Sequence, residues 1–220
     1  MNWDNELAVQ FAPFPSVARL SRDMVVTEKI DGTNAQVTIV PRIPGDEPLL
    51  ALWNYVSDTD GQLYSMYVGS RHRWITLDSD NFGFAHWAWA NSHGLALLGP
   101  GSHFGEWWGQ GIQRGYGLKE KRFSLFNTGR WTSHANTLGE GVQDTRCVEV
   151  PVCHVVPVLM QYTFNTEAVD SVLRDLAFNG SYAAPGFMIP EGVVVYHVAS
   201  RQSFKKTLDK HDGHKSAPHA

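Results

Sequence analysis

Short β-prone runs separated by glycine-containing turns dominate this chain and leave little room for helices. Residues 24–40 and 49–70 are rich in β-branched and aromatic residues, and the turn sequences Asp31-Gly32 and Asp60-Gly61 lie within them. The second segment is predicted to be a hairpin. Further strands are predicted over 102–108, 123–126, 147–164, 192–199 and 202–208. Short strands joined by local turns favour antiparallel sheets.

Two segments have the pattern of a helix. Residues 81–98 are rich in Trp and Ala and moderately amphipathic. Residues 166–178 place Val169, Val172, Leu173 and Leu176 on one face. Asn165 or Thr166 can cap this helix, and Gly180 can end it. The fold class expected is therefore α+β with antiparallel sheets.

The length of 220 residues allows one large domain or two small ones. Without a long linker, we expect a single domain over 1–208, a polar and disordered tail over 209–220, and no appended nucleic-acid-binding domain. No apolar run reaches membrane-spanning length, and the first residues do not resemble a signal peptide. Only two cysteines are present, without Cys-x-x-Cys spacing, which favours a reducing, cytoplasmic location.

The net charge of −4 limits how this chain can bind nucleic acid. A protein that binds mainly through phosphates is usually basic, so we expect any such footprint to be local. Candidate clusters are Arg71 with Arg73, Lys119 with Lys121 and Arg122, and Lys205 with Lys206. The middle cluster is more simply interpreted as solvated surface charge.

The hexad Lys29-Ile30-Asp31-Gly32-Thr33-Asn34 places a lysine beside the first turn. Taken alone, such a lysine is more commonly a surface residue. Its alternative role is that of a nucleophile attacking the α-phosphate of a nucleotide and displacing pyrophosphate. A lysine does this only after losing its proton, which a nearby cation favours.

The other requirements of nucleotidyl transfer also have candidates along the chain. Asn34 and Arg71 can bind ribose or phosphate oxygens, and Lys205 can bind the α-phosphate. Glu106 can accept from a ribose hydroxyl, and Glu191 can hold a divalent metal. Phe126 can stack on the base, although a single phenylalanine is more commonly part of a core. The joint occurrence of these residues favours the functional interpretation.

A glycine-rich loop over 109–117 follows Glu106. It lacks the Gly-x-Gly-x-x-Gly spacing of a dinucleotide-binding turn, and we expect it to be mobile.

These motifs resemble the covalent nucleotidyltransferase superfamily of polynucleotide ligases and capping enzymes, and specifically the RNA ligase 2 type of ATP-dependent RNA ligase. The similarity covers residues 27–208. Its motifs are the hexad, Ser70-Arg71, Phe104 to Gln113, Phe123 to Asn127, Glu191 to Val194, and Phe204-Lys205. The resemblance implies an adenylyltransferase domain of two antiparallel sheets with flanking helices and ATP in the cleft between them.

The resemblance implies a reaction in three steps. Lys29 takes AMP from ATP, AMP passes to an RNA 5′-phosphate, and a 3′-hydroxyl attacks that end and seals the strand. Catalytic roles are implied for Lys29 and Lys205, metal binding for Glu191, and nucleotide binding for Glu28, Ile30, Asn34, Arg71, Glu106, Phe126 and Lys206. ATP and Mg²⁺, or Mn²⁺, are the expected cofactors. The expected partners are RNA ends, including those of a nicked duplex, with no protein partner or membrane.

Two departures from the family pattern leave alternatives open. RNA ligases of this type often carry His where Asp31 stands, and the last motif usually reads Lys-x-Lys rather than Lys205-Lys206-Thr207. Strand alternation places Lys205 and Lys206 on opposite faces, and the alignment favours Lys205 as the one facing the cleft. The alternatives are a minimal DNA ligase, a capping-type guanylyltransferase, and a non-catalytic nucleotide or nucleic-acid binding module. A compact ligase would suit a phage and RNA repair in the host cytoplasm.

Overall fold

A computed structural model describes residues 12–42, 45, 50–57, 60–132, 148–149 and 152–209. The strands are β1 Asp23–Lys29, β2 Thr33–Pro41, β3 Trp53–Val56, β4 Leu63–Ser70, β5 Trp74–Ile75, β6 Gly101–Gly109, β7 Lys121–Leu125, β8 Trp131–Thr132, β9 Val148–Glu149, β10 His154–Val155, β11 Val158–Thr163, β12 Gly192–His197 and β13 Gln202–Thr207. The helices are α1 Phe84–Ala90, α2 Ser92–Ala96 and α3 Thr166–Asn179.

The strands form two main sheets, which confirms the α+β prediction. The four-stranded sheet has the antiparallel order β11-β1-β12-β13. The seven-stranded sheet has the order β10-β7-β6-β2-β4-β3, with β5 also paired to β4, and only its β10–β7 pair is parallel. A small parallel pair, β8–β9, lies outside both.

The hexad connects the two sheets. The predicted strands on either side of it are present, but β1 pairs with β11 and β12 while β2 pairs with β4 and β6. The Asp31-Gly32 tight-turn signal is therefore not a hairpin. A Cβ on Gly32 would lie 2.5 Å from the Trp107 carbonyl oxygen, so glycine permits a close crossing between sheets.

The local predictions are largely confirmed. β3 and β4 form the predicted hairpin, with Gly61 in the left-handed region at φ +67°. Helix α3 begins after Asn165, whose side chain accepts from two backbone N–H groups, and ends at Gly180. The helix predicted over 81–98 is divided at Asn91 into α1 and α2. The β-prone run 147–164 forms β9, β10 and β11, and Cys147 and the tail after Asp209 lie outside the described residues.

Each main sheet buries one face against helices. Helices α1 and α2 cover a face of the seven-stranded sheet, and α3 covers a face of the four-stranded sheet. A third cluster packs where the chain crosses between them and comprises Ile30, Trp108, Tyr116, Val156 and Ala184. The opposite sheet faces carry the polar residues of the candidate site. Within the described ranges, no helix has the length and apolar character needed to cross a membrane.

Candidate active site

Lys29 and Glu191 meet at the edge where the chain leaves the four-stranded sheet. Lys29 is the last residue of β1 and pairs in register with Gly192, the first residue of β12. Glu191 directly precedes that strand, so the register brings the two side chains together. The Lys29 Nζ donates to Glu191 Oε2 at 2.5 Å, and both side chains are partly buried. The structure thus joins the predicted nucleophile to the predicted metal ligand.

Glu106 approaches the same point from the seven-stranded sheet. Its two carboxylate oxygens accept from the Gly32 backbone N–H at 3.1 Å and from Asn34 Nδ2 at 3.0 Å. Only 8% of the residue is exposed. Burial raises the pKa of Glu106 to about 7, although the Lys29 charge and the Gly32 hydrogen bond act to lower it. Glu106 and Asn34 therefore present a polar pair beside Lys29.

Lys205 lies on the same sheet face as Lys29. Lys205 pairs with Val194, Val194 pairs with Thr27, and Thr27 precedes Lys29 by two positions on the same strand face. The Lys205 side chain is exposed and has no hydrogen-bond or ion-pair partner among the described residues. It is therefore available to a phosphate on the face that carries Lys29.

Arg71 and Phe126 are both exposed near ends of strands in the seven-stranded sheet. Arg71 follows β4 and, within the described part of the chain, has no polar partner. Phe126 follows β7 and is 43% exposed. It is thus not a core residue, and its ring can take a ligand.

The side chains of Glu28, Lys206 and Ile30 do not lie in this site. Glu28 and Lys206 both pair with Val193 on the α3 side of the sheet, the face away from Lys29. Lys206 binds Asp170 of α3, whereas the Ile30 side chain is buried in the cluster between the sheets. The geometry does not support side-chain binding of a nucleotide by these three residues.

Glu28 has a set of partners that explains its burial. Its carboxylate accepts from Ser181 Oγ at 2.6 Å and from the backbone N–H groups of Tyr182 and Ala183 at 2.9 and 2.8 Å. Only 1% of the residue is exposed, and desolvation raises its pKa against these three hydrogen bonds. Glu28 therefore anchors the segment after α3.

Arg114 and Tyr116 also contact the hexad, although the sequence pattern of their loop predicted a mobile segment. Arg114 Nε donates to Asp31 at 3.0 Å, and its terminal nitrogens donate to the Ile189 carbonyl and to Asp209. Tyr116 is buried, and its hydroxyl accepts from the Asp31 backbone N–H at 2.8 Å. The loop is thus anchored to the hexad. The sequence signal that could have identified them is the presence of an arginine and a tyrosine in a loop otherwise rich in glycine.

The donors present suit a divalent cation held mainly by its nucleotide. The described residues contain no group of three or more His, Cys, Asp or Glu placed to hold a metal. Mg²⁺ commonly binds through one or two carboxylates together with substrate phosphates and water. Glu191 can supply one such carboxylate.

Comparisons with known proteins identify the fold and the family of this chain. Among solved structures, an apo mutant of Naegleria gruberi RNA ligase matches with a TM-score of 0.51 and 20% identity, covering 85% of this chain and 50% of that chain. A mutant of the same ligase with ATP and Mn matches with a TM-score of 0.51 and 19% identity, covering 86% and 50%. This chain spans about half the length of those proteins. The likeness shows an RNA ligase catalytic-domain fold.

Comparison with curated protein sequences finds no match. A family model described as RNA ligase matches residues 22–208, which is most of the chain. The chain belongs to the RNA ligase family.

Proposed function

We propose that this protein is an ATP-dependent RNA ligase that joins a 5′-phosphate to a 3′-hydroxyl through a lysyl-AMP intermediate. The observation that carries the proposal is the convergence of Lys29, Glu191 and Glu106 where the chain crosses between sheets. The family match and the solved relatives with ATP and Mn support it.

Lys29 acts as the nucleophile in the first step. After its ammonium loses a proton, Nζ attacks the α-phosphorus of ATP, a P–N bond forms, and the bond to the β-phosphate oxygen breaks to release pyrophosphate. An oxygen of the RNA 5′-phosphate then attacks the AMP phosphorus, which breaks the P–N bond and frees Lys29. Finally the 3′-hydroxyl attacks the activated 5′-phosphorus and AMP leaves.

The other residues bind and orient the substrate. Glu106 and Asn34 hold the ribose, and the exposed ring of Phe126 stacks on adenine. Lys205 and Arg71 bind phosphate oxygens. Glu191 would hold a divalent cation, Mg²⁺ or Mn²⁺, which would neutralise charge on the phosphates.

The DNA ligase alternative loses its main support at Asp31. That residue is bound by Arg114 through its carboxylate and by Tyr116 through its backbone N–H. The Arg114 contact to the carboxylate accounts for an aspartate at this position without reference to the sugar of the substrate. Sealing assays on matched RNA and DNA nicks separate the two; joining of DNA alone would reject the RNA assignment.

The reaction is tested by mass spectrometry of the protein incubated with ATP and Mg²⁺. We expect an AMP adduct on Lys29 that is absent from the Lys29→Ala variant. The Lys206→Ala variant is the matched control and should still form the adduct, because Lys206 lies on the opposite face of the sheet. GTP in place of ATP tests the guanylyltransferase alternative. No adduct under any of these conditions would favour a non-catalytic binding module. The proposed setting is RNA repair in a cytoplasm, that of an infected host for a phage protein. The low cysteine content bears only on the reducing compartment, which it favours.

A further inference from the structure

One face of the seven-stranded sheet carries exposed aromatic rings beside the candidate site. We name it the aromatic face; it comprises Phe104, Gln36, Thr38, Ser102, Tyr67 and Trp74. Phe104 is 54% exposed and Trp74 is 41% exposed. An exposed aromatic cluster on a sheet commonly marks an interaction surface.

Strand register places these residues on the face of Glu106, opposite α1 and α2. Phe104 pairs with Gln36, Gln36 pairs with Gly69, and Gly69 pairs with Trp74, which forms one row across four strands. The neighbouring row consists of Ser102, Thr38 and Tyr67. The Trp74 and Tyr67 rings lie 5.7 Å apart, which confirms that the rows share a face.

The aromatic face is continuous with the candidate nucleotide site. The Phe126 backbone N–H donates to the Phe104 carbonyl at 3.0 Å, which extends the row onto the base-stacking ring. Asn34 precedes Gln36 by two positions on the same strand face. A nucleic-acid strand that leaves the nucleotide site along the sheet therefore meets Phe104 first.

The chemistry of the aromatic face suits bases more than phosphates. None of its six residues is charged, and its centre offers an amide and two hydroxyls, with Thr38 donating to Ser102 at 3.0 Å. Single-stranded nucleic acid binds such surfaces by stacking bases on aromatic rings. Stacking does not need a basic protein, which agrees with a net charge of −4.

We propose that the aromatic face binds unpaired bases of the RNA strand whose end is joined, with one base on Phe104 and another on Trp74. This inference rests on the proposed function. The two rings are three strand spacings apart, about 14 Å. That distance is several times the ~3.4 Å rise per nucleotide of a stacked strand. The rings therefore take different bases, and the amide and hydroxyls between them contact the intervening nucleotides.

The test is fluorescence anisotropy with a 5′-phosphorylated single-stranded RNA, at fixed low salt. Phe104→Ala and Trp74→Ala should each weaken binding roughly 5- to 150-fold, because a stacked base contributes ~1–3 kcal/mol. Phe178→Ala is the matched control, since that ring is 82% exposed on α3, away from this face. The two substitutions are independent tests, because Trp74 lies three strand spacings from Phe104.

A probe of equal charge separates stacking from phosphate binding. The same RNA with abasic sites in place of bases should bind wild type about as weakly as the alanine variants bind intact RNA. Equal binding of intact and abasic RNA, or equal binding by wild type and both variants, would overturn the proposal. The proposal would also be overturned if the alanine variants differed from wild type only in sedimentation, because that result would assign the face to a second copy of this chain. Self-adenylylation is measured separately, so its absence would reject the ligase function and leave the binding result readable.

Discussion

The two faces of the four-stranded sheet give opposite environments to chemically matched neighbours. Lys29 and Lys205 lie on the face that meets the seven-stranded sheet, whereas Glu28 and Lys206 lie on the face covered by α3. Lys205 has no polar partner in the described part of the chain, but Lys206 binds Asp170. A single position along a strand thus separates a residue available to a ligand from one used in packing.

The two buried glutamates sharpen the same contrast. Glu28 has three hydrogen-bond donors from one segment, all supplied by the fold. Glu106 has two donors from the hexad and lies in the field of Lys29 and Glu191. Burial raises the pKa of both carboxyl groups. What differs is the surroundings: Glu28 is 1% exposed among donors of the segment after α3, whereas Glu106 is 8% exposed beside Lys29.

The largest expected effect is on the two adjacent lysines of β13. Lys205→Ala should slow self-adenylylation roughly 10²- to 10³-fold, because a cation aimed at the reacting phosphate is removed. Lys206→Ala should slow it less than about 2-fold, since Lys206 faces α3. Quantification of the AMP adduct against time measures both. Equal losses in the two variants would contradict the assignment of faces.

Next in size is the effect of removing Glu28. Glu28→Ala leaves one hydroxyl and two backbone N–H groups without their acceptor, which should lower the free energy of unfolding by roughly 3 kcal/mol. Urea unfolding measures this loss. ATP affinity of the folded variant should match wild type, and a selective loss of ATP binding at unchanged stability would restore Glu28 to the nucleotide site.

A smaller effect should appear in the pH dependence of stability. The folded pKa of Glu106, about 7, lies above its ordinary value of 4.5, so the folded state holds this proton more tightly. Its contribution to stability is therefore present at low pH and is lost as pH rises toward and through 7. Between pH 5 and 7 the loss is on the order of 2 kcal/mol.

Glu106→Gln isolates this contribution, because Glu28 and all other groups titrate in both proteins. The difference in unfolding free energy between wild type and variant should shift by that amount across the same interval. Parallel pH profiles for the two proteins would show that Glu106 is not held in the protonated form.

The smallest expected effect is at the Lys206–Asp170 pair. Both side chains are partly exposed, and such pairs contribute less than about 1 kcal/mol. Lys206→Met keeps most of the aliphatic stem and should change the unfolding free energy by no more than that. A loss of several kcal/mol would mean that the α3 face depends on this ion pair.

Much of the candidate site could be predicted because its residues carry their chemistry locally. The hexad lysine, Glu106, Glu191 and Phe126 were singled out by their joint occurrence and by the resemblance of their motifs to a known family. Arg114 and Tyr116 were not, because their partners lie 83 and 85 positions away along the chain. The aromatic face was also missed, since its rings come from β4, β5 and β6 and become neighbours only through register.

The sequence by itself determined most of the strands, the capped helix α3 and the alternation that separates Lys205 from Lys206, because these depend on neighbouring residues. The short strands β5 and β8 were not predicted. Only the tertiary structure decided that β1 and β2 part into different sheets at Gly32. A local pattern of apolar residues and a turn is equally satisfied by a hairpin and by a crossover. The choice depends on which distant strands provide the hydrogen bonds and cover the apolar face, and that choice places Lys29 between the sheets.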